Sequence, residues 1–428
     1  MRIINISYTD QGGAGIAVSR THWRLKELGY DSYLFLADDI KEAEKNTVEG
    51  IKKEKKIVNL FKRLVKVFTS RILQYAYRIG VKKKKQAPDR YCFFSKSELN
   101  KISIQKILEN VAVGDVVILY WLGLGLMNSA NIVELANKAK IRLYWYALDM
   151  AAVTGGCHYF WDCTGYLNDC SNCPALEPGN KQFANKQFTV KKRNLDKVSI
   201  TLLASSGIGV NAFEKAAIKF SSYHKLPYAI NTDAFNVAAA NPDLAEVNYK
   251  IFFNAQNIFD IRKGWEYFKT MIVLLDMVLD KNENNRMVDL ISVDIENHGQ
   301  HFKELKHIRI CDAGGHKNSD SELATLYQQS DIFICTSVED LSPLMVNESL
   351  LCGVPVIAFD NASNREYIID NENGVLVKPF DTNKMAEVIG AIILGEIKFN
   401  SSEKIRDSVI ELHRTEDWHR TFKKLISN

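Results

Sequence analysis

The sequence lacks the long apolar run that a membrane-spanning helix needs. Its longest apolar stretch extends from Val116 to Met127, which is shorter than the about 18 residues required. The first residues, Met1 to Ile6, lead into a glycine-rich turn and show neither the apolar core nor the small-residue cleavage site of a secretory signal. We therefore expect a soluble, cytoplasmic protein.

A strong net charge is also absent. Lys and Arg number 55 against 51 Asp and Glu, a net charge of +4, which is too small to imply a nucleic-acid partner. Hydrophobic residues make up 46% and charged residues 25% of the 428 residues. That balance is typical of globular proteins, and the length predicts two or three domains.

The charge is concentrated in one segment, residues 51–85. It contains ten Lys and three Arg against the single acid Glu54, a local charge of +12 that leaves −8 for the rest of the chain. Apolar residues recur in it at helical spacing: Ile57, Leu60, Phe61, Leu64, Val65, Phe68, Ile72 and Leu73. An amphipathic basic helix suits an anionic membrane surface at the inner face of the cell membrane. A core-facing helix with a solvated basic face and a site for a polyanionic substrate remain alternatives.

Strand-like and helix-like patterns alternate in two blocks, which predicts an α/β fold with two parallel sheets. A turn of small residues at 236–243 separates the blocks. We therefore predict a first domain over 1–235 and a second over 236–404. We also predict a glycine turn over Gly12–Gly15, a helix over Asn211–Phe220 and a helical segment over Ile405–Ser427, the last of which could pack back on the first domain.

The second block carries residues suited to a phosphorylated ligand. Arg262 and Lys263 follow a strand and precede Gly264, and a planar guanidinium beside a compact ammonium suits a diphosphate. Asp340 follows a later strand, and Glu348 stands eight residues further along. The loop between them leads into a helix whose N–H groups form a natural anion site.

Four cysteines form a separate cluster in the first block. Their spacing is C-x5-C-x6-C-x2-C, and the residues are Cys157, Cys163, Cys170 and Cys173. Four thiolates at this spacing predict a structural zinc site. Two disulfides or unligated thiols remain open alternatives.

Several stretches together resemble retaining glycosyltransferases of family 4. The pieces follow the family's order along nearly the whole chain: Gly12-Gly13-Ala14-Gly15, Asp149-Met150 with Thr154 to His158, Arg262-Lys263-Gly264, Leu326-Tyr327 with Ser330-Asp331, and Glu348-Ser349 with Cys352 to Val356. The resemblance implies the GT-B fold, in which two Rossmann-like domains face each other across a cleft. It also implies transfer of a sugar, with retention, from a UDP or GDP type of donor to a glycan or lipid-linked acceptor in bacterial surface polysaccharide synthesis.

The resemblance further implies roles for individual residues. Asp149 and Asp340 take catalytic positions, with Asp340 in place of the first of the family's two acids, which is usually Glu. Donor binding is implied for Gly13, Arg262, Lys263, Ser342, Pro343, Leu344, Met345 and Glu348. In such enzymes a donor phosphate oxygen helps to deprotonate the acceptor. The sequence has no convincing Asp-x-Asp metal motif, and we expect no cofactor or catalytic metal beyond the possible structural zinc.

Two other classes of protein remain as alternatives. Gly123, Gly125 and Asn128 follow a strand and approach the Gly-x-Gly-x-x-Gly fingerprint of an NAD-binding oxidoreductase, with Asp149 as the acid about 20 residues on. Asn128 stands where the fingerprint requires glycine. The other alternative is a non-catalytic scaffold that retains the glycosyltransferase-like fold.

Overall fold

The computed structural model describes residues 1–37, 95–123, 125–238, 248–254, 260–282, 286–293, 302, 304–315, 317, 319–361 and 363–427. The basic segment 51–85 and most of the predicted 236–243 turn lie outside these residues. Contacts divide the chain into two units, the first comprising Met1–Ala204 with Val210–His224 and the second Ser205–Gly209 with Lys225–Asn428. The continuous part of the second unit thus begins at Lys225, about ten residues before the predicted boundary at 235.

The first unit contains a six-stranded sheet in the order β2-β1-β3-β4-β5-β6. The pairs β1–β2, β1–β3, β3–β4 and β4–β5 are parallel. The strands are β1 (Arg2–Ser7), β2 (Asp31–Leu36), β3 (Val116–Leu119), β4 (Arg142–Tyr146), β5 (Thr201–Ala204) and β6 (Ser222–Lys225). Central strands are buried on both faces, as parallel sheets covered by helices require.

Helices connect the strands of this first sheet. They are α1 (Gly12–Glu27), α2 (Gln105–Asn110), α3 (Ser129–Ala139), α4 (Lys181–Leu195) and α5 (Gly207–Lys215), the last of which begins in the second unit. The predicted glycine turn is wrong in detail, because the helix already begins at Gly12, whose φ is 75°. The predicted Asn211–Phe220 helix is also displaced. It begins at Gly207 and ends at Lys215, and the chain then forms β6.

The second unit contains another six-stranded sheet, in the order β12-β11-β10-β7-β8-β9 and with every neighbouring pair parallel. Its strands are β7 (Tyr249–Phe253), β8 (Val288–Ser292), β9 (Ile308–Asp312), β10 (Ile332–Cys335), β11 (Val356–Phe359) and β12 (Gly374–Val377). The prediction of two α/β blocks with parallel sheets is confirmed.

The described residues of the second unit form six helices: α6 (Trp265–Lys281), α7 (Asp320–Gln328), α8 (Leu344–Leu351), α9 (Thr382–Ile393), α10 (Ser402–His413) and α11 (Thr415–Ser427). In α6, Phe268, Ile272 and Leu275 are fully buried at helical spacing, and the Phe268 ring stacks on that of Phe253 in β7. Ile405–Ser427, predicted as one helical segment, is two helices that break at Arg414. Among the described residues, no helix is long and apolar enough to cross a membrane.

The C-terminal helices are fixed to segments that precede the second sheet. Trp418 donates from its indole nitrogen to the carbonyl of Pro227 at 2.8 Å. Arg406 donates to the carbonyls of Thr232, at 2.8 Å, and Phe235, at 2.5 Å, and to that of Leu351 at the end of α8. A cation at a helix C-terminus satisfies carbonyls that have no partner within the helix. The helices α10 and α11 thus pack on residues that belong to the second unit.

Candidate functional site

Arg262 and Lys263 lie in a short 3-10 helix, Ile261–Lys263, that follows β7. The next residue, Gly264, has a φ of 71°, and a Cβ there would lie 2.0 Å from the Thr336 carbonyl oxygen. Thr336 donates from its hydroxyl to the Lys263 carbonyl at 2.9 Å, and Val338 donates from its backbone to the Arg262 carbonyl at 2.8 Å. Only glycine allows the backbone at residue 264 to come this close to Thr336. The close approach places the two cations beside the loop that follows β10.

Both cations are paired with carboxylates. Lys263 Nζ lies 3.1 Å from Asp340 Oδ2, and Arg262 Nη2 lies 2.6 Å from Asp260 Oδ2. Burial by itself would raise the pKa of the Asp340 carboxyl, but Lys263 and Arg262 outweigh this and hold the pKa below its usual value. A phosphate that binds here would therefore compete with two carboxylates. Sequence reasoning did not single out Asp260, which orients Arg262.

The predicted donor loop leads into α8. This helix begins at Leu344, so Leu344 and Met345, predicted to lie in the loop, belong to its first turn. The N-cap residue Pro343 supplies no side-chain hydrogen bond to the turn, so the first N–H groups are not satisfied by a capping side chain. Ser342 donates from its backbone to Asp340 Oδ1 at 3.2 Å, which fixes the loop against the cation pair.

Glu348 lies within α8 and is only 2% exposed. The Tyr327 hydroxyl donates to its Oε2 at 3.2 Å. His413 of α10 contacts the neighbouring Asn347, with 2.9 Å between His413 Nε2 and Asn347 Oδ1. The carboxylate that is predicted to hold a ribose is therefore fixed by Tyr327 of α7, and the residue before it is fixed by His413 of α10.

In the first unit, Gly13 lies in the first turn of α1, and a Cβ there would meet nothing within 4 Å. The geometry of its own unit therefore does not require glycine at this position. Asp149 follows β4 and caps a 3-10 helix, Met150–Val153, by accepting from the Ala151 backbone at 2.8 Å. Its other carboxylate oxygen lies 2.5 Å from His158 Nδ1. Sequence reasoning placed His158 in a motif and gave it no role.

A cavity of about 30 Å³ lies where β3 and β4 end, and it is confined to the first unit. Asp149 lines it together with Ser95, Glu98, Asn128 and Lys191, and the aromatic side chains of Tyr120, Trp121 and Trp145 complete the wall. Carboxylates, an amide and indole rings are the groups that bind sugar hydroxyls and sugar faces. Sequence reasoning missed Glu98 and Lys191.

Lys191 is a buried cation whose charge is balanced within this wall. Its Nζ donates to the carbonyls of Ala151, at 2.5 Å, and Thr154, at 2.9 Å, and lies 3.9 Å from Glu98 Oε1. The ammonium ties α4 to the loop that follows Asp149. Asn128 caps α3 by accepting from the Asn131 backbone at 3.0 Å, so its side chain occupies the place where a dinucleotide fingerprint needs none.

The four clustered cysteines line a second cavity of about 20 Å³. Backbone N–H groups point at the sulfurs, from Gly155 to Cys170 at 3.3 Å and from Gly165 to Cys163 at 3.4 Å. Burial raises the pKa of Cys170 to about 11. A hydrogen bond between Cys157 and Cys173 raises the pKa of the first thiol and lowers that of the second.

All seven cysteines among the described residues are free thiols. In the same part of the chain, no group of three or more His, Cys, Asp or Glu side chains is arranged to hold a metal ion. The present thiol positions thus do not form a tetrahedral zinc site, although the N–H groups directed at sulfur are of the kind that stabilise bound thiolates. Zinc binding stays a prediction.

Together the two parallel α/β units define the GT-B fold, which the chain shares with solved glycosyltransferase structures. HepE of Anabaena, solved with UDP-glucose, superposes over 100% of both chains with a TM-score of 0.60 and 13% identity. Sucrose-phosphate synthase from Thermosynechococcus elongatus covers 100% of this chain and 98% of its own, with a TM-score of 0.58 and 15% identity.

The sequence comparisons agree with this fold. Residues 301–410, within the second unit, match the family described as Glycosyl transferases group 1. WcaC of Escherichia coli (strain K12), whose name assigns it to colanic acid biosynthesis as a glycosyl transferase, is 24% identical over 263 residues, or 58% of this chain. The match spans 59% of the length of WcaC.

The Asp340–Lys263 pair predicts a pH-dependent contribution to stability. Because the pKa of Asp340 is lowered in the folded protein, its contribution is present above the unfolded pKa of about 3.9 and is lost as the pH falls through the folded value. Asp340→Asn should lower the free energy of unfolding at pH 7 by about 1–3 kcal/mol, because Lys263 loses its charged partner.

Unfolding by denaturant at pH values from 7 to 3 would measure this effect on the free energy of unfolding. The difference in the free energy of unfolding between wild type and Asp340→Asn should shrink as the pH falls below about 3.9. Asp196→Asn is a suitable control, because Asp196 forms an exposed pair with Lys192 that contributes only a few tenths of a kcal/mol. A constant difference between wild type and Asp340→Asn at every pH would contradict the assignment.

The cysteine cluster predicts about one zinc ion per chain. Elemental analysis of protein purified without chelator would give the stoichiometry, and a chromogenic chelator added with a thiol reagent would follow release. Cys163→Ser with Cys173→Ser should abolish binding, whereas Cys311→Ser, outside the cluster, should retain it. If the protein is folded without zinc and binds none when the ion is added, the prediction is wrong and the four cysteines are unligated thiols.

Proposed function

We propose that this chain is a glycosyltransferase that moves a sugar from a nucleotide-sugar donor, with retention, to a glycan acceptor. The main support is the contact of Arg262 and Lys263 with the loop between β10 and α8. This loop belongs to the unit whose residues 301–410 match group 1 glycosyl transferases. Two cations and uncapped helix N–H groups suit a diphosphate. The UDP-glucose of HepE, a protein of similar fold, supports a nucleotide-sugar as the ligand.

The donor would be held by residues of the second unit. Arg262 and Lys263 would bind the diphosphate, and the backbone amides from Ser342 to Met345 would bind its oxygens and the sugar. Glu348 would accept hydrogen bonds from the ribose hydroxyls. In this assignment Asp340 keeps Lys263 in place until phosphate oxygens take over the pairing.

In the proposed reaction the acceptor hydroxyl attacks the anomeric carbon on the face from which the diphosphate leaves. The C–O bond to phosphate breaks, the new glycosidic bond forms, and the hydroxyl proton passes to a phosphate oxygen of the leaving nucleoside diphosphate. The protein's share is positioning and electrostatic stabilisation of the leaving group. Arg262, Lys263 and the first turn of α8 would supply the charge that a divalent metal supplies elsewhere.

We assign the acceptor to the first unit, where Asp149 lines the polar and aromatic cavity, and we include Gly13 among the residues that contact ligand. Two relatives of similar sequence support a proposal for the class of acceptor. WcaC is named for colanic acid biosynthesis, and a Klebsiella pneumoniae protein from a cps region is 30% identical over 131 residues. We therefore propose a surface polysaccharide intermediate carried on a lipid.

A thermal-shift panel with UDP, GDP, ADP and NAD would test the donor site. A ligand at 100 times its dissociation constant stabilises a fold by about 2.7 kcal/mol. One nucleoside diphosphate should shift the wild type and leave Arg262→Ala/Lys263→Ala unchanged. Lys269→Ala is the matched control, because Lys269 lies on α6 and forms an ion pair with Glu266 of the same helix.

The panel also separates the alternatives. A shift by NAD alone would favour an oxidoreductase, and no shift by any nucleotide would favour a scaffold. An equal shift of the double variant and the wild type would move the donor site away from Arg262 and Lys263.

The lipid-linked acceptor gives the basic segment 51–85 a role at the membrane surface. We expect sedimentation with vesicles of anionic phospholipid at low salt and release at high salt, because each Lys or Arg contributes about 1 kcal/mol near such a surface. Replacing Lys82 to Lys85 by Gln should weaken binding, and neutral vesicles are the control. Equal binding to neutral and anionic vesicles would contradict this role.

A further inference from the structure

His158 lies against Asp149 because hydrogen bonds to three backbone carbonyls fix the loop between them. Met150 donates to the His158 carbonyl at 2.9 Å, and Thr154 donates from its hydroxyl to the Cys157 carbonyl at 2.5 Å. Ser95, from a distant segment, donates to the Gly156 carbonyl at 2.7 Å. The imidazole, only 1% exposed, is therefore placed by the fold.

The imidazole joins two residues of the cavity wall. Its Nδ1 lies 2.5 Å from Asp149 Oδ2, and its Nε2 lies 2.5 Å from Ser95 Oγ. Contacts this short require a proton between the two atoms, because two lone pairs would repel each other. Asp149 and Ser95 line the cavity, and the ring of His158 lies behind them.

The same ring nitrogen is also within reach of an indole. Trp121 Nε1 lies 3.1 Å from His158 Nδ1, and an indole N–H can only donate. If the shared proton is on Nδ1, Asp149 is a carboxylate that receives hydrogen bonds from His158 and from the Ala151 backbone. In that arrangement Nδ1 has no lone pair left, so the indole N–H of Trp121 does not donate to it. If the proton is on Asp149, Nδ1 offers one lone pair to two donors, Asp149 and Trp121. The first arrangement is favoured because the contact with Asp149, at 2.5 Å, is much shorter than the contact with Trp121, at 3.1 Å, as expected for a hydrogen bond to a charged acceptor.

We propose that His158 is a positioning residue for the transfer reaction: its Nδ1–H fixes the Asp149 carboxylate towards a sugar hydroxyl in the cavity, and its Nε2 accepts from Ser95. This inference rests on the proposed function. The carboxylate then has one oxygen fixed by Ala151 and the other by His158. Both keep further acceptor capacity for a ligand, and fixed orientation matters because a misplacement of 1 Å can cost about 100-fold in rate.

Two isosteric variants distinguish the two ring nitrogens. The amide nitrogen of Asn lies where Nδ1 lies in histidine, and that of Gln lies where Nε2 lies. His158→Asn should keep the hydrogen bond to Asp149 and retain kcat within about 10-fold, whereas His158→Gln should lose about 100-fold. The melting shift produced by the nucleoside diphosphate should be unchanged in both, because the donor residues belong to the other unit.

His22→Asn is a matched control. His22 is also buried in the first unit and pairs with a serine, with 2.9 Å between its Nδ1 and Ser32 Oγ, and it does not line the cavity. It should change melting temperature without changing kcat. Equal losses of kcat in the Asn and Gln variants of His158, in proportion to their losses of stability, would reduce His158 to a structural role and overturn the proposal.

A measurement without substrate separates this inference from the proposed function. Nitrogen NMR of protein labelled in histidine should show a protonated Nδ1 in His158 at pH 7, assigned by its loss in His158→Asn. Asp149→Asn should shift the proton to Nε2 and leave Nδ1 to accept from Trp121. An unprotonated Nδ1 in the wild type would overturn the inference even if the transferase is active. The predicted tautomer in a protein that binds no nucleotide would support the Asp149–His158 pairing and leave the failure with the proposed donor site.

Discussion

The candidate donor site depends on the close approach of two backbone segments, at Gly264 and Thr336. A Cβ at Gly264 would lie only 2.0 Å from the Thr336 carbonyl oxygen, so the two segments leave no room for a side chain. This approach sets Arg262 and Lys263 beside Asp340 and keeps both side chains ordered before any ligand arrives. Preorganised charges of this kind stabilise a leaving group without the cost of reorienting flexible side chains.

Both units handle buried charge in the same way. In the second unit, Asp260 and Asp340 neutralise the two cations. In the first, backbone carbonyls and Glu98 surround the ammonium of Lys191, and His158 pairs with Asp149. Burial disfavours the charged form of a group, and a nearby opposite charge favours it, so each partner helps to keep its neighbour ionised. A ligand then exchanges one partner for another, which favours selectivity over raw affinity.

The sheets and the order of motifs could be predicted from the sequence because strands such as β3 are continuous apolar runs and the glycosyltransferase motifs are local. The partners of His158 could not, since Ser95, Trp121 and Asp149 come from three separate segments. The helix α4 escaped prediction because it is rich in Lys and polar residues along much of its length. The break at Arg414 escaped as well, because the apolar spacing continues from α10 into α11.

The hydrogen bonds of α10 link the far end of the chain to the helix that carries Glu348. Arg406 holds the carbonyl of Leu351, where α8 ends, and His413 holds Asn347, directly before Glu348. Removing the last two helices would therefore uncap α8 and loosen the residue assigned to the ribose. A shortened version of this protein would thus lose order at Glu348, and with it affinity for the proposed donor, although none of the deleted residues belongs to the proposed donor site.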